Sequence, residues 1–506
     1  MSQYFILATL TFLVLKILSK TCGLYWDVYD DCENPTPSNC CPLYYTLVCS
    51  KLMSNSSDQF EKELSQKLAA LVISNSNSTF IQNGDWRFLA GLSNLRELSF
   101  INNGKLLLDN INSTYFRNLT KLKNIYISHN NIETLPTRIF QGMMSLENLY
   151  LSTNGIVDIG NVFQNLTSVE SLNLSHNRLV VVKDDTLRGF SSLKTLNLSK
   201  NKISIFSLNI LQYLQNLESL DLDDNELVFL TGTYVYHKSL KYLVLENNYL
   251  VNLNSAYFYG ITSLRSVILS HNNISNLPIN WFNNNSSSVV QLGLQNNFIE
   301  DIYSLFFSKF PNVEEIKLSG NLIKDLADPD LFNQNEKLSA LSLEYNKIES
   351  INPNLFYNNR DLRFLDLAGN RIEFLDVDTL NNLYTYSTFN LLGNPIKCDC
   401  YAIHLRDYLL MSHTHERLYP SCATPNEYNN QKITSVNLKR CETDHEKTTL
   451  THGTSVTVSG GTTVVDHDIN GLVIVFGLLV ITLFLFPILL RLVRKFCVSI
   501  SEDVPT

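Results

Sequence analysis

Between Cys49 and Cys398 the chain has no cysteine, although ten occur elsewhere. Its long middle therefore has neither disulfides nor thiolate metal ligands, and apolar packing must hold the core there. Charge is scarce and nearly balanced, at 17% of residues with a formal net charge of −9 over 506 residues. So mild an acidic excess argues against nucleic acid or a heparin-like polyanion as the main ligand. No G-x-S-x-G elbow, P-loop, H-E-x-x-H helix or dinucleotide fingerprint occurs. The chain reads as a non-enzyme without a cofactor.

What is present is one phrase, L-x-x-L-x-L-x-x-N-x-L, with apolar stand-ins for Leu. Its asparagines fall at 103, 130, 154, 177, 201, 225, 248, 272, 297, 321, 346, 370 and 394. Of the 52 apolar slots (four in each of thirteen repeats) only Lys105 breaks the pattern, so the same local structure must recur each time. Steps of 23 to 27 residues with this spelling are the signature of leucine-rich repeats. The x-L-x-L-x segment alternates with period two and predicts a short strand with one buried face. Spacings of 3 then 2 exclude a helical heptad. The Asn carries both donors and an acceptor, which suits it to backbone groups where each strand turns. Phe116, Phe140, Phe163, Phe258, Phe282, Phe307, Phe332 and Phe356 predict a second ladder beneath the convex side. A fourteenth repeat is plausible at Leu68, Leu71 and Ile73, with Ser76 in place of Asn. The predicted class is an α/β-type solenoid, which presents a long recognition surface rather than an enclosed pocket.

Cys32, Cys40, Cys41 and Cys49 precede the repeats, and Cys398, Cys400, Cys422 and Cys441 follow them. The second set begins in G-N-P-I-K-C-D-C, from Gly393 to Cys400. Here the chain resembles the extracellular leucine-rich-repeat family with cysteine-rich caps, which includes Toll-type ectodomains and adhesion proteins. It departs from that family in having Ile396 for the usual Trp or Phe, and adjacent Cys40 and Cys41 for C-x-C. The resemblance implies a horseshoe with parallel strands on its concave face. It also implies first-to-third and second-to-fourth pairing in each cap: Cys398 with Cys422, Cys400 with Cys441, Cys32 with Cys41, Cys40 with Cys49. A four-thiolate zinc cage is the competing reading. The secretory signals favour disulfides, which belong to oxidising compartments.

Those signals are an apolar run over Phe5–Leu15, sized for a signal-peptide core, and an uncharged stretch over Gly471–Leu490, long enough for one membrane span. Thr21 and Gly23 suit cleavage after Gly23, which would remove Cys22, although Lys16 and Lys20 leave the exact site open. Arg491, Arg494 and Lys495 follow the span and put the C-terminus in the cytoplasm. The expected organisation is a signal peptide over 1–23, an N-cap over 24–60, repeats over 61–396 and a C-cap over 397–441. A Thr/Ser/Gly-rich stalk over 442–470, the span over 471–490 and a short tail over 491–506 complete it. Cys497 is a palmitoylation candidate or a plain thiol. Sequons stand at Asn55, Asn77, Asn112, Asn118, Asn165, Asn173, Asn197, Asn273, Asn284 and Asn285. Asn173 and Asn197 also spell the repeat.

His129, His176 and His271 each precede a repeat Asn, and repeat position accounts for them. Asp221-Leu222-Asp223-Asp224-Asn225 lacks the Gly and the final Glu of a calcium loop and reads as an acidic patch. His413 and His415 read as a solvated loop. The expected function is a plasma-membrane receptor or adhesion molecule that binds an extracellular protein ligand, with any signal passing through a membrane co-receptor. A matrix-organising ectodomain, shed at the stalk, is the alternative. The solvent-facing strand positions suggest Tyr242, Val244 and Ile268 as an apolar centre, rimmed by Asp221, Asp223, Asp224 and Glu246. Tyr126 and Tyr150 form a rival patch nearer the N-cap.

Overall fold

Each alternating segment becomes a short strand, and the strands stack in register along one sheet. In the computed structural model the described residues are 22–27, 44–50 and 68–438, the last with breaks at 76–88, 90, 105–115, 117, 138, 233–235, 252–257, 259, 279–281, 283–287, 384–387 and 413. Lys105, His413, Cys32, Cys40, Cys41, Cys441, Cys497 and the sequons at 55, 77, 112, 284 and 285 lie outside them. So do the predicted signal-peptide core, the stalk, the membrane span and the tail. Among the described residues no helix is long and apolar enough to cross a membrane.

The main sheet has sixteen strands. Strand Cys22–Asp27 runs antiparallel to Tyr44–Ser50, and the predicted signal-peptide cut after Gly23 falls inside it. From Tyr44–Ser50 onward every pairing is parallel. One buried row runs through Leu71, Leu98, Ile125, Leu149, Leu172, Leu196, Leu220, Leu243, Val267, Leu292, Ile316, Leu341, Leu365 and Phe389. Leu68–Ser74 thus stands in the stack as a full repeat strand, Leu71 opposite Leu98. A parallel strand pair needs a crossover between its members, and here each crossover is the rest of one repeat.

The asparagines hold the turns together. Asn201 Nδ2 donates to Leu198 O of its own turn at 2.9 Å and to Leu174 O of the preceding turn at 3.0 Å. Its Oδ1 accepts from Leu179 N, also in the preceding turn, at 3.0 Å. Asn177, Asn225, Asn248, Asn272, Asn297, Asn321, Asn346 and Asn370 repeat this pattern. Buried backbone groups at the bend would otherwise lack partners, each at a cost of about 1–3 kcal/mol.

The residue before each ladder Asn has positive φ in all thirteen repeats, from Asn102 at 54° to Gly393 at 72°. This left-handed step explains the His, Asn and Gly found there. At Gly320 (φ 65°) a Cβ would also collide with Asn296 Oδ1, so any side chain there requires the Asn296 amide to move.

Behind the sheet the phenylalanines stack from turn to turn. Phe140 meets Phe163 at 6.0 Å, Phe258 meets Phe282 at 5.3 Å and Phe307 meets Phe332 at 5.1 Å between ring centroids. Phe190 and Phe310 extend this spine, at 5.3 Å from Phe163 and 4.9 Å from Phe282. At the C-terminal end the helix Ala402–Met411 closes the stack, with Tyr408 edge-on to Phe389 at 6.1 Å. Burial pushes the Tyr408 phenol up to about 12. A disulfide joins Cys398 to Cys422, and Cys400 is also disulfide-bonded.

Candidate recognition surface

Alternation along each strand turns one set of side chains into the core and the other onto the open face of the sheet. The register sets Asp221 beside Val244, Val244 beside Ile268, and Ile268 beside Gly293. Tyr242 stands two residues before Val244 on the same face, and Glu246 two residues after it. The suggested centre and its rim are therefore brought together. Tyr242 is 45% exposed. Val244 and Ile268 are half-buried rather than open, because side chains on the neighbouring strands cover the base of each one. Ile268 leans over the next turn: its Cδ1 lies 3.0 Å from where a Gly293 Cβ would sit.

The face is not uniformly exposed, although period-two alternation puts Ser99, Gly293 and Asn390 on it in the same column as Asp221, Val244 and Ile268. Ser99, Gly293 and Asn390 are buried. Ser99 is short and sits between Val72 and Tyr126, while Asn390 Nδ2 donates to Asp366 Oδ2 at 2.9 Å.

The acidic rim is tied into its neighbours. Asp221 Oδ2 accepts from Asn197 Nδ2 at 3.0 Å, and its Oδ1 accepts from Asp223 N at 3.0 Å. Burial raises the Asp221 carboxyl above its ordinary range, opposed by that backbone hydrogen bond and reinforced by the charges of Asp223 and Asp224. Asp223 Oδ1 accepts from Asn247 Nδ2 at 3.1 Å. His271 Nε2 lies 4.0 Å from Glu246 Oε1 and 3.0 Å from Asn296 Nδ2. At the start of the strands the charges pair between turns, Lys123 with Glu147, Lys194 with Glu170 and Lys241 with Glu218, at 2.7–2.9 Å.

In the rival patch Tyr126 and Tyr150 stack with ring centroids 4.9 Å apart and planes within 1°. Asn173 and Asn197 lie on the face between the two patches. Each is half-buried and accepts from the backbone N–H two residues on, at 2.9 Å. Asn118, Asn165 and Asn273 are exposed. His129, His176 and His271 occupy the left-handed step with their side chains outward. His415 Nδ1 accepts from Arg417 N and caps a short 3-10 turn. Among the described residues no group of three or more His, Cys, Asp or Glu is placed to hold a metal ion.

Sequence reasoning missed a second surface. On the flank the chain reaches after each ladder Asn, Ile205–Ser207 and Phe229–Thr231 pair as a small parallel sheet, with Val181 bridged to Ile205. Val181, Ile205 and Phe229 are 51%, 44% and 44% exposed. The signal lay in R-L-V-V-V, K-I-S-I-F and E-L-V-F-L, where apolar residues continue past the repeat phrase.

The leucine-rich repeat family model matches residues 93–156, 167–227, 238–289 and 327–372. No curated protein matches the chain. Among solved structures, a leucine-rich-repeat protein of Leptospira interrogans is similar at 22% identity and TM-score 0.59, covering 72% of this chain and 87% of that one. TLR13 in complex with ssRNA13 is similar at 22% identity and TM-score 0.57, covering 74% of this chain and 61% of TLR13. Toll of Drosophila, in its complex with Spatzle, is similar at 18% identity and TM-score 0.54, covering 73% of this chain and 60% of Toll. The chain thus spans about three-fifths of the length of those two chains. Spelling, register and likeness agree that it folds as a leucine-rich-repeat solenoid.

Proposed function

We propose that the chain is a type I cell-surface recognition protein whose solenoid binds a protein ligand on the open, concave face, centred on Tyr242, Val244 and Ile268. One observation carries the reading. The parallel register sets an exposed tyrosine and two half-buried aliphatic residues side by side within a rim of Asp221, Asp223, Asp224 and Glu246. An aromatic and apolar centre with a charged rim is the composition of a protein-binding hot spot. Toll is similar in fold and is seen with Spatzle; TLR13 is similar in fold and is seen with RNA. The acidic rim favours a protein over a phosphate backbone, which requires Lys and Arg. The secretory signal, the cap cysteines, the sequons and the uncharged stretch over Gly471–Leu490 support display at the plasma membrane.

The test is a screen in which cells expressing the full chain are probed with secreted and membrane proteins. A genuine ligand binds the parent and loses binding to Tyr242→Ala at equal surface level. Ligands that bind both equally place recognition elsewhere on the solenoid.

A further inference from the structure

The flank beside the small parallel sheet carries a run of exposed apolar residues. It spans the five turns that begin at Asn154, Asn177, Asn201, Asn225 and Asn248. Val157, Val180, Val181, Ile205, Val228, Phe229 and Val251 are each between 40% and 51% exposed. Val181, Ile205 and Phe229 stand in register on adjacent turns, about 4.8 Å apart. Contiguous apolar surface of this kind marks an interaction site.

From the arrangement of these residues we propose that the flank seats a second copy of the chain, about a two-fold axis that runs along the strand direction over Ile205.

The ridge reads the same from both ends. Counting outward from the Asn201 turn, Val181 answers Phe229, Val180 answers Val228 and Val157 answers Val251, with Ser204 and Ile205 at the centre. A two-fold contact requires such self-complementarity, because each residue meets its counterpart across the axis. At the ends, Tyr249 protrudes, 55% exposed, and its counterpart is Gly155, which has no side chain to obstruct it.

Charge follows the same symmetry. The residue after each ladder Asn lines the edge of the ridge: Arg178, Lys202 and Glu226 on the three middle turns. All three are exposed, and none has an ion-pair partner among the described residues. On the far side of the same strands, Lys194–Glu170 and Lys241–Glu218 are paired between neighbouring turns. The two-fold sets Arg178 of each copy opposite Glu226 of the other, which supplies the missing partners twice. Lys202 lies on the axis and meets its own copy, with the second copy's Glu226 one strand spacing away, about 4.8 Å, on the adjacent turn to offset the two like charges.

The test co-expresses two differently tagged full-length chains in cells. Val181→Cys mixed with Phe229→Cys is expected to give at least tenfold more disulfide-linked dimer than either variant alone, and Ile205→Cys to cross-link with itself. Val181→Cys cross-linking to itself as strongly as the mixture would overturn the axis. Absence of cross-linking in every combination would overturn self-association and leave the flank to another partner. Independently, Arg178→Glu is expected to lower co-precipitation of the two tags at least fivefold, and adding Glu226→Arg in the same chain to restore it. A double variant as weak as the single one contradicts the pairing.

Discussion

Leu179 donates its backbone N–H to Oδ1 of Asn201, 22 residues further along, at 3.0 Å. The same amide donates to Leu174 O and Leu198 O, so one side chain closes three backbone groups on two turns. Asn201→Leu orphans all three in a buried site. It is expected to lower the unfolding free energy by about 2–4 kcal/mol, read from denaturant midpoints. A loss under about 0.5 kcal/mol would mean that water or a local shift replaces the ladder.

His237 gives the fold a dependence on pH. It is buried; its Nδ1 accepts from Ser239 N and Leu240 N at 3.3 and 3.1 Å, and its Nε2 lies 2.9 Å from Leu214 O. This geometry requires a neutral ring with its proton on Nε2. Burial holds its pKa below the ordinary 6.5, opposed by the bond to Leu214 O. Because the folded value is the lower one, stability is whole above pH 6.5 and falls as the pH drops below it, when the unfolded chain takes up a proton first. Unfolding midpoints between pH 7.5 and 5.0 should fall more steeply for the parent than for His237→Asn. Equal slopes contradict this role.

The C-terminal lid depends on covalent closure. The Cys398–Cys422 bond spans 24 residues and joins the last turn to the segment behind helix Ala402–Met411. Cys422→Ser is expected to cost about 2–5 kcal/mol and to retain the chain inside the cell. Surface staining of the variant at parental level would show that the packing of Tyr408 on Phe389 suffices.

The repeat positions were legible because each is fixed by burial. The row from Leu98 to Phe389 must be apolar to fill the core, and each ladder Asn must supply both donor and acceptor. Phe190 and Phe310 escaped notice because the spine tolerates small shifts in spacing, provided a ring fills the gap. The open face was half legible. Alternation predicted that Tyr242, Val244 and Ile268 would meet, but not that Ser99 and Gly293 would be buried between taller neighbours. The flank was not read at all, since Val181, Ile205 and Phe229 fall outside the repeat phrase and only pairing between turns brings them together.

The most direct measurement is the affinity of the ligand for Tyr242→Ala and Ile268→Asp, beside Tyr126→Ala, each expressed as the full chain. Neither Tyr242 nor Ile268 points into the core, so surface levels should match the parent. Binding should weaken at least tenfold, about 1.4 kcal/mol, in both, and stay unchanged in Tyr126→Ala. Parental affinity in both, with loss in Tyr126→Ala, would contradict the account and move the site to the stacked tyrosines.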